Sequence, residues 1–256
     1  MSNKIVGLIP AAGKGSRLAP FPCPKELFPV GYQDYKVNGV MTKRPKVVSQ
    51  YLLEHMVEAG ARQVMFIVSE GKGDIMKYFG DGHQFSADIV YLFQEVQDGM
   101  PGALNLARNW IEESTVVFGM PDTIIEPENA FVQLREYHDI NENDLTLGLF
   151  RTNTPAKFGM VSLDDQGAVN YTIDKPLSSD LEYMWGCACW SPAFTKLIDE
   201  YLVKNTYEGN ELVLGDVFNL AIDKKMKVMG YPFKNGQYLD IGTSDELNIA
   251  LKKFHL

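Results

Sequence analysis

The sequence predicts an α/β protein with a mostly parallel central sheet flanked by helices on both faces. Two observations carry that expectation. Short apolar runs of strand character alternate with longer segments whose apolar residues recur at helical spacing, and a glycine-containing loop follows the first strand-like run. A third observation, a group of strand-like runs separated by turns between residues 160 and 190, adds a small antiparallel subregion in the second half. In such a Rossmann-like arrangement ligands bind outside the carboxyl ends of the strands, and the glycine loop falls at that edge.

Ile5, Val6, Leu8 and Ile9 form the first buried strand, and Pro10 with Gly13 and Gly15 stops it and opens a loop. Residues 46–59 carry Val47, Val48, Tyr51, Leu52, His55 and Met56 at helical spacing, with Gly60 as the stop. Strand character returns at 64–68 and 89–93, a helix is expected over 103–111, a strand over 116–118, a helix over 130–138 and a strand over 145–150. Runs at 160–163, 169–173 and 183–190 are strand-like, with turns at 164–167 and 177–180, and are expected to form a patch laid over the first sheet. Helices follow over 193–203 and 212–222, then a strand over 228–231 and a last helix after Gly242. No repeat or low-complexity tract divides the chain, so one domain over residues 1–256 is expected. Lys43, Arg44 and Lys46 read as the solvated entrance of the first helix.

At 256 residues and 45% hydrophobic composition the chain can bury a substantial core. Its formal net charge of −9 argues against a general nucleic-acid binder, whose affinity rests on a field of Lys and Arg facing phosphates. On so acidic a chain, any polyanionic small substrate would have to be met by local cations and a metal. Three cysteines, Cys23, Cys187 and Cys189, are too few for a structural zinc site, and their odd number suits a reducing compartment. With no apolar run of membrane-spanning length and no signal-peptide layout, a cytoplasmic protein without membrane association is expected.

The densest chemistry lies in residues 9–30, IPAAGKGSRLAPFPCPKELFPV. Glycines at 13 and 15 let the backbone aim several N–H groups at one anion, and Lys14, Arg17 and Lys25 add positive charge, Arg17 through paired hydrogen bonds to phosphate. An ordinary glycine-rich turn reads the same way from the triplet alone. The P-loop pattern fails because Ser16 and Arg17 follow Gly15, and the dinucleotide fingerprint fails because Leu18 stands where its third glycine belongs. With Pro24-Lys25-Glu26-Leu27-Phe28-Pro29 downstream, the segment resembles the signature of the sugar-phosphate nucleotidylyltransferases: G-x-G-x-R, a variable stretch, then P-K-x-L-x-P.

Other motifs of that family recur in order along the chain. Gln94 and Gly99 resemble the segment that reads a pyrimidine edge, although Gln94 alone reads as an exposed strand-end residue. Phe118-Gly119-Met120-Pro121-Asp122 resembles the strand end bearing a first metal-binding aspartate, and Leu239-Asp240-Ile241-Gly242-Thr243 the corner bearing the second. Gly159 resembles the glycine that contacts the sugar. Asp174-Lys175-Pro176 resembles Glu-Lys-Pro, whose acid holds sugar hydroxyls and whose lysine meets the sugar phosphate. The resemblance implies a nucleotide-binding part over about 1–125, an acceptor-binding part over about 126–256, and a nucleotide site of Ala11, Ala12, Gly13, Lys14, Gly15, Gln94 and Gly99. It implies an acceptor site of Gly159, Asp174 and Lys175, Mg²⁺ on Asp122 and Asp240, and catalysis by Arg17, Lys25, Asp122, Lys175 and Asp240.

The implied reaction is in-line attack of a sugar 1-phosphate oxygen on the α-phosphorus of UTP or dTTP, with pyrophosphate leaving. Two anions must meet, so neutralising charge and aligning the nucleophile are the main tasks. The partners implied are these small molecules, and relatives that associate imply a homo-oligomer. Ala12 in place of glycine, Met120-Pro121-Asp122 in place of Leu-Gly-Asp and Asp174 in place of glutamate depart from the thymidylyltransferase pattern, and Pro121-Asp122 leans toward uridylyltransferases. Two other readings stay open: a CTP-dependent enzyme with a phosphocholine-like or phosphonate acceptor, and an inactive paralogue that binds nucleotide sugar. The stretch from Thr243 to Leu256 leaves no room for a C-terminal β-helix domain, so a minimal catalytic domain is expected. Trp185 to Trp190 reads as a packed aromatic strand, with an acceptor-shaping role as the alternative.

Overall fold

The computed structural model describes residues 4–205 and 207–254. Strand β1 (Lys4–Pro10) leads into the glycine loop, two single-turn 3-10 segments (Ser16–Leu18 and Lys25–Leu27) and a hairpin of β2 (Pro29–Val37) and β3 (Val40–Val47). Helix α1 (Val48–Glu58), β4 (Gln63–Val68), α2 (Gly73–Phe79), β5 (Asp88–Phe93), α3 (Met100–Asn105), α4 (Arg108–Ile111) and β6 (Ser114–Gly119) complete the first half. The second half runs β7 (Thr123–Glu126), α5 (Ala130–Ile140), β8 (Leu145–Arg151), β9 (Gly159–Leu163), β10 (Val169–Asp174) and β11 (Tyr183–Trp190). It ends with α6 (Pro192–Lys204), α7 (Leu214–Asp223), β12 (Val228–Pro232), β13 (Gln237–Asp240) and α8 (Ser244–Phe254).

The main sheet follows the order β10-β9-β11-β6-β1-β4-β5, with β8 also on β11 and β12 on β8. Strands β6, β1, β4 and β5 are all parallel, so their carboxyl ends open on one edge. The loop with Gly13 and Gly15, the Ser69–Lys72 turn, Gln94 and Asp122 all leave from that edge, each directly after one of these strands. The antiparallel strands do not lie over this sheet, as their turns suggested. Strand β11 pairs with β6 from Cys187↔Gly119 to Trp190↔Val116 and thereby uses the open edge of β6, extending one continuous sheet.

Alternation along the strands sorts the core into two layers. Ile9, Phe66 and Val117 face α1 and α5 through Leu52, Met56, Phe131 and Leu134, while Val6, Leu8, Phe118 and Trp190 face α3, α6 and α7 through Leu104, Phe194, Val217 and Phe218. Helices therefore cover both faces. The helix expected over 103–111 is two pieces, because Leu106 and Ala107 turn to i−3 acceptors at Ala103 and Leu104 and break the regular ladder between α3 and α4.

Lys43, Arg44 and Lys46 lie on β3 instead of at a helix entrance. Asn38 and Gly39, both at positive φ, make the tight turn that folds β3 back onto β2, and Lys43 pairs with Asp34 across the hairpin at 2.9 Å. Among the described residues no helix is long and apolar enough to cross a membrane.

Phe118 is fully buried at the centre of the sheet, with its ring 5.7 Å from that of Trp190 and 6.3 Å from that of Trp185. Phe118→Ala is expected to lower unfolding stability by about 3–5 kcal/mol in urea titrations, through lost transfer energy and a residual cavity. Ile140→Ala, at a side chain 82% exposed, is the control and is expected to shift stability by less than about 0.5 kcal/mol. Equal effects from both would contradict this packing.

Candidate active site

The glycine loop is anchored at its start and open at its tip. Ala11 N–H donates to Ile67 O at 2.7 Å, and the Ala12 carbonyl accepts from Ser69 Oγ at 2.8 Å and Gln97 Nε2 at 2.9 Å. Gly15 sits at φ 65°, a conformation glycine reaches without strain, and starts the Ser16–Leu18 turn. Gly13, Lys14 and Gly15 line a cleft of about 1320 Å³ together with Ser69, Gln94 and Gln97, and the Lys14 side chain is exposed.

Beside this cleft the fold gathers four of the five residues expected to be catalytic. Lys25 Nζ meets Asp122 Oδ2 at 2.5 Å, with Asp122 only 5% exposed at the turn after β6. Burial pulls the Lys25 ammonium down, but Asp122, Glu26 and Asp240 more than offset this and hold its pKa above the ordinary lysine value. Asp240 arrives from the far end of the chain. Strand β13 pairs antiparallel with β7, setting Asp240 opposite Thr123, and Ile241 N–H donates to Asp122 O at 3.0 Å. Gly242 N–H donates to Asp240 Oδ1 at 2.6 Å. Arg17 closes the group: a Cβ placed on Gly242 would lie 2.8 Å from Arg17 Nη2, so the guanidinium rests against this turn.

The paired carboxylates carry a visible electrostatic strain. Burial first, then the charges of Asp122 and Glu246, push the Asp240 carboxyl up to about 6, against the pull of Gly242 N–H and Arg17. Among the described residues no three His, Cys, Asp or Glu side chains cluster to cage a metal. Two aspartates alone suit a hard cation that takes its remaining oxygens from phosphate and water.

Gln94 is not the exposed strand-end residue its position suggested. It is 6% exposed, and its Nε2 donates to Asp98 Oδ1 at 2.9 Å and to Gly99 O at 3.4 Å, which leaves Oε1 as an acceptor. Gly99 sits at φ 110°, and a Cβ there would lie 2.2 Å from the Leu212 carbonyl oxygen, so the chain after α6 crosses directly over it. A narrower recess of about 150 Å³ is lined by Gln94, Gly99, Lys25, Asp122 and Glu211, joining Gln94 and Gly99 to the charged cluster.

Gly159, Asp174 and Lys175 form a separate group. Asp174 pairs in register with Gly159, Lys175 N–H donates to Phe158 O at 3.0 Å, and Lys175 Nζ lies 3.5 Å from Asp174 Oδ2 with its side chain 61% exposed. No hydrogen bond or ion pair among the described residues joins these three to Asp122, Asp240, Arg17 or Lys25. Phe158, the neighbour of Gly159 in sequence, lines a recess of about 700 Å³ together with Asp240 and Tyr238, but Gly159, Asp174 and Lys175 do not line it. Trp185 packs against Gly159, whose Cβ would lie 2.1 Å from the indole Nε1. Further along β11, Cys187, Ala188, Cys189 and Trp190 are fully buried, and Trp190 Nε1 donates to Thr195 Oγ1 at 3.0 Å.

The sequence reading passed over Glu26, Lys72, Gln97 and Glu211. Glu26 is 1% exposed and accepts from Lys72 Nζ at 3.0 and 2.8 Å through both carboxylate oxygens. In sequence, Lys72 follows a glycine in a polar turn and looks like any solvated lysine.

The raised Asp240 pKa has a definite sign for stability. A carboxyl whose folded pKa exceeds its ordinary value of 3.8 destabilises the fold once ionised, so stability is lost as pH rises from there through about 6. Asp240→Asn keeps an acceptor for Gly242 N–H and removes the charge. In metal-free buffer at about pH 7.5 it is expected to melt above the parent protein, with the gap closing below about pH 4. Added divalent cation is expected to narrow the gap at the higher pH by binding the ionised parent. A gap independent of pH, or a less stable variant at about pH 7.5, would contradict this reading of the site.

The model of the nucleotidyl transferase family matches residues 6–255. A low-salt glycan biosynthesis nucleotidyltransferase of Haloferax volcanii is 28% identical over 245 residues, covering 94% of this chain and 63% of that protein. A glucose-1-phosphate thymidylyltransferase of Streptomyces antibioticus is 27% identical over 241 residues, covering 91% of this chain and 63% of its own length. The chain thus spans 63% of the length of these curated relatives, and the names of matching relatives include both thymidylyl and guanylyl transfer. The crystal structure of a UDP-glucose pyrophosphorylase complexed with UDP-glucose shares the fold, with a TM-score of 0.80 at 18% identity over 100% of this chain and 99% of that one. With nearly its whole length matched and the fold in common, the chain belongs to the nucleotidyl transferase family.

Proposed function

We propose that the protein is a nucleotidylyltransferase that joins UTP or dTTP to a sugar 1-phosphate, with glucose 1-phosphate the leading acceptor, and releases pyrophosphate. The observation that carries the proposal is the gathering of Lys25, Arg17, Asp122 and Asp240 at the carboxyl edge of the parallel strands, next to the glycine-loop cleft. An acceptor phosphate oxygen forms a bond to the α-phosphorus as the bond to the pyrophosphate oxygen breaks. Lys25 neutralises charge on the α-phosphate as it grows, and Arg17 holds the departing pyrophosphate. Asp122 and Asp240 would hold Mg²⁺, which when bound supplies positive charge to the phosphate oxygens and relieves the repulsion between the two carboxylates. The glycine-loop amides cradle the triphosphate. Gln94, with Nε2 engaged and Oε1 open, accepts the N3–H of uracil or thymine.

On the acceptor side, Gly159 and Asp174 take the sugar and Lys175 its phosphate. The Trp185 ring against Gly159 and the aspartate at 174 favour a second reading, a CTP-dependent reaction with a phosphocholine-like or phosphonate acceptor. An inactive nucleotide-sugar-binding paralogue would have no need of the Lys25–Asp122–Asp240 cluster.

Pyrophosphate release, measured with magnesium over a panel of triphosphates and acceptors, decides among these readings. UTP or dTTP with glucose 1-phosphate is expected to lead, with ATP and GTP well behind because a purine collides with the recess and leaves polar groups unpaired. Asp122→Asn is expected to lower turnover by roughly 100-fold at unchanged fold. Release with CTP and a phosphocholine-like acceptor alone would establish the second reading. No release with any pair, or a preference for ATP or GTP, would overturn the proposal.

A further inference from the structure

Lys25 and Glu26 are neighbours in one 3-10 turn, yet their side chains go to opposite charges. Lys25 Nζ reaches Asp122 Oδ2 at 2.5 Å, while the Glu26 carboxylate, 1% exposed, takes Lys72 Nζ on both oxygens at 3.0 and 2.8 Å. The turn itself is held from behind: Ser49 Oγ donates to the Glu26 carbonyl at 2.6 Å, Leu27 N–H to Pro24 O at 2.9 Å, and Val48 N–H to Phe28 O at 3.0 Å. An unpaired carboxylate at Glu26 would be the nearest competitor of Asp122 for the Lys25 ammonium, since it already attracts that group from one residue away. Lys72, itself 7% exposed, removes the competitor by satisfying both oxygens.

We infer that Lys72 is a positioning residue: by neutralising buried Glu26 it leaves the Lys25 ammonium directed at Asp122 and the phosphates. The inference rests on the role proposed above for Lys25. Lys72 lines the glycine-loop cleft, but both Glu26 oxygens hold its ammonium, so it acts through Glu26. A pair that served stability alone would affect folding without redirecting Lys25.

Lys72→Gln keeps a hydrogen-bond donor to Glu26 and removes the charge. Lys72→Met with Glu26→Gln removes both charges, so neither a buried unpaired charge nor a competitor remains. With circular dichroism confirming folded protein, Lys72→Gln is expected to lower kcat about tenfold or more with KM for both substrates nearly unchanged. The double variant is expected to recover most of kcat, and Lys72→Arg to behave as the parent. Crystal structures of the two charge-altered proteins give a readout that does not depend on turnover. Lys25 Nζ is expected beside Glu26 in Lys72→Gln and beside Asp122 in the double variant, so a parent protein inactive on every substrate pair would sink the functional reading while this inference is still decided. Lys25 unmoved in Lys72→Gln would overturn it. So would a raised KM for the triphosphate at unchanged kcat, which would make Lys72 a substrate ligand.

Discussion

Two carboxylates that repel each other, Asp122 and Asp240, are held side by side by backbone hydrogen bonds, and the rest of the site is arranged around that constraint. The β7–β13 ladder and the Ile241 to Asp122 hydrogen bond fix the main chains and so keep the two residues beside each other. Burial raises the cost of the charge on Asp240. The molecule answers it with Lys25 on Asp122, with the Gly242 amide on Asp240, and with Arg17 resting against the same turn. A pair of acids kept together at the expense of stability, with cations converging on them, is the arrangement expected of a site that handles phosphate and a divalent cation.

The sheet determines why these groups meet. Four parallel strands end on one edge, and each delivers a different part: β1 the glycine loop, β4 the turn bearing Lys72, β5 Gln94, and β6 Asp122. The remaining aspartate comes from a two-stranded ladder outside the main sheet. Local order in the Lys25 turn depends on α1 and on the Glu26–Lys72 pair, so core packing and charge placement are coupled there.

What could be read from the sequence was what short stretches of chain encode. The glycine loop, the proline-bracketed Lys25 and the strand-end aspartates carry their chemistry within a few residues of each other, and the order of the motifs placed them at one edge. Pairings across long separations were not visible. Glu26 and Lys72 are 46 residues apart, and nothing local marks either as buried. The hairpin at 29–47 is hard to read although Asn38-Gly39 is a turn signal, because Val30, Tyr32, Tyr35, Val37, Val40, Met41 and Val47 keep no unbroken strand period and the strands' side chains are mostly exposed. Nothing local marks Gln94 as buried, because its partners Asp98 and Gly99 fold back over it from the following turn. Gly159, Asp174 and Lys175 do lie together, but their separation from the charged cluster depends on how β9 and β10 extend the sheet.

The central claim is that Asp122 and Asp240 act as one cation and phosphate site. A crystal of the protein grown with Mn²⁺ and a non-hydrolysable UTP analogue, with anomalous scattering located at the manganese edge, tests it most directly. The account expects one manganese bonded to an oxygen from each of the two aspartates and to the triphosphate, with the glycine-loop amides on the remaining phosphate oxygens. A triphosphate bound in the cleft with manganese on neither aspartate would contradict it.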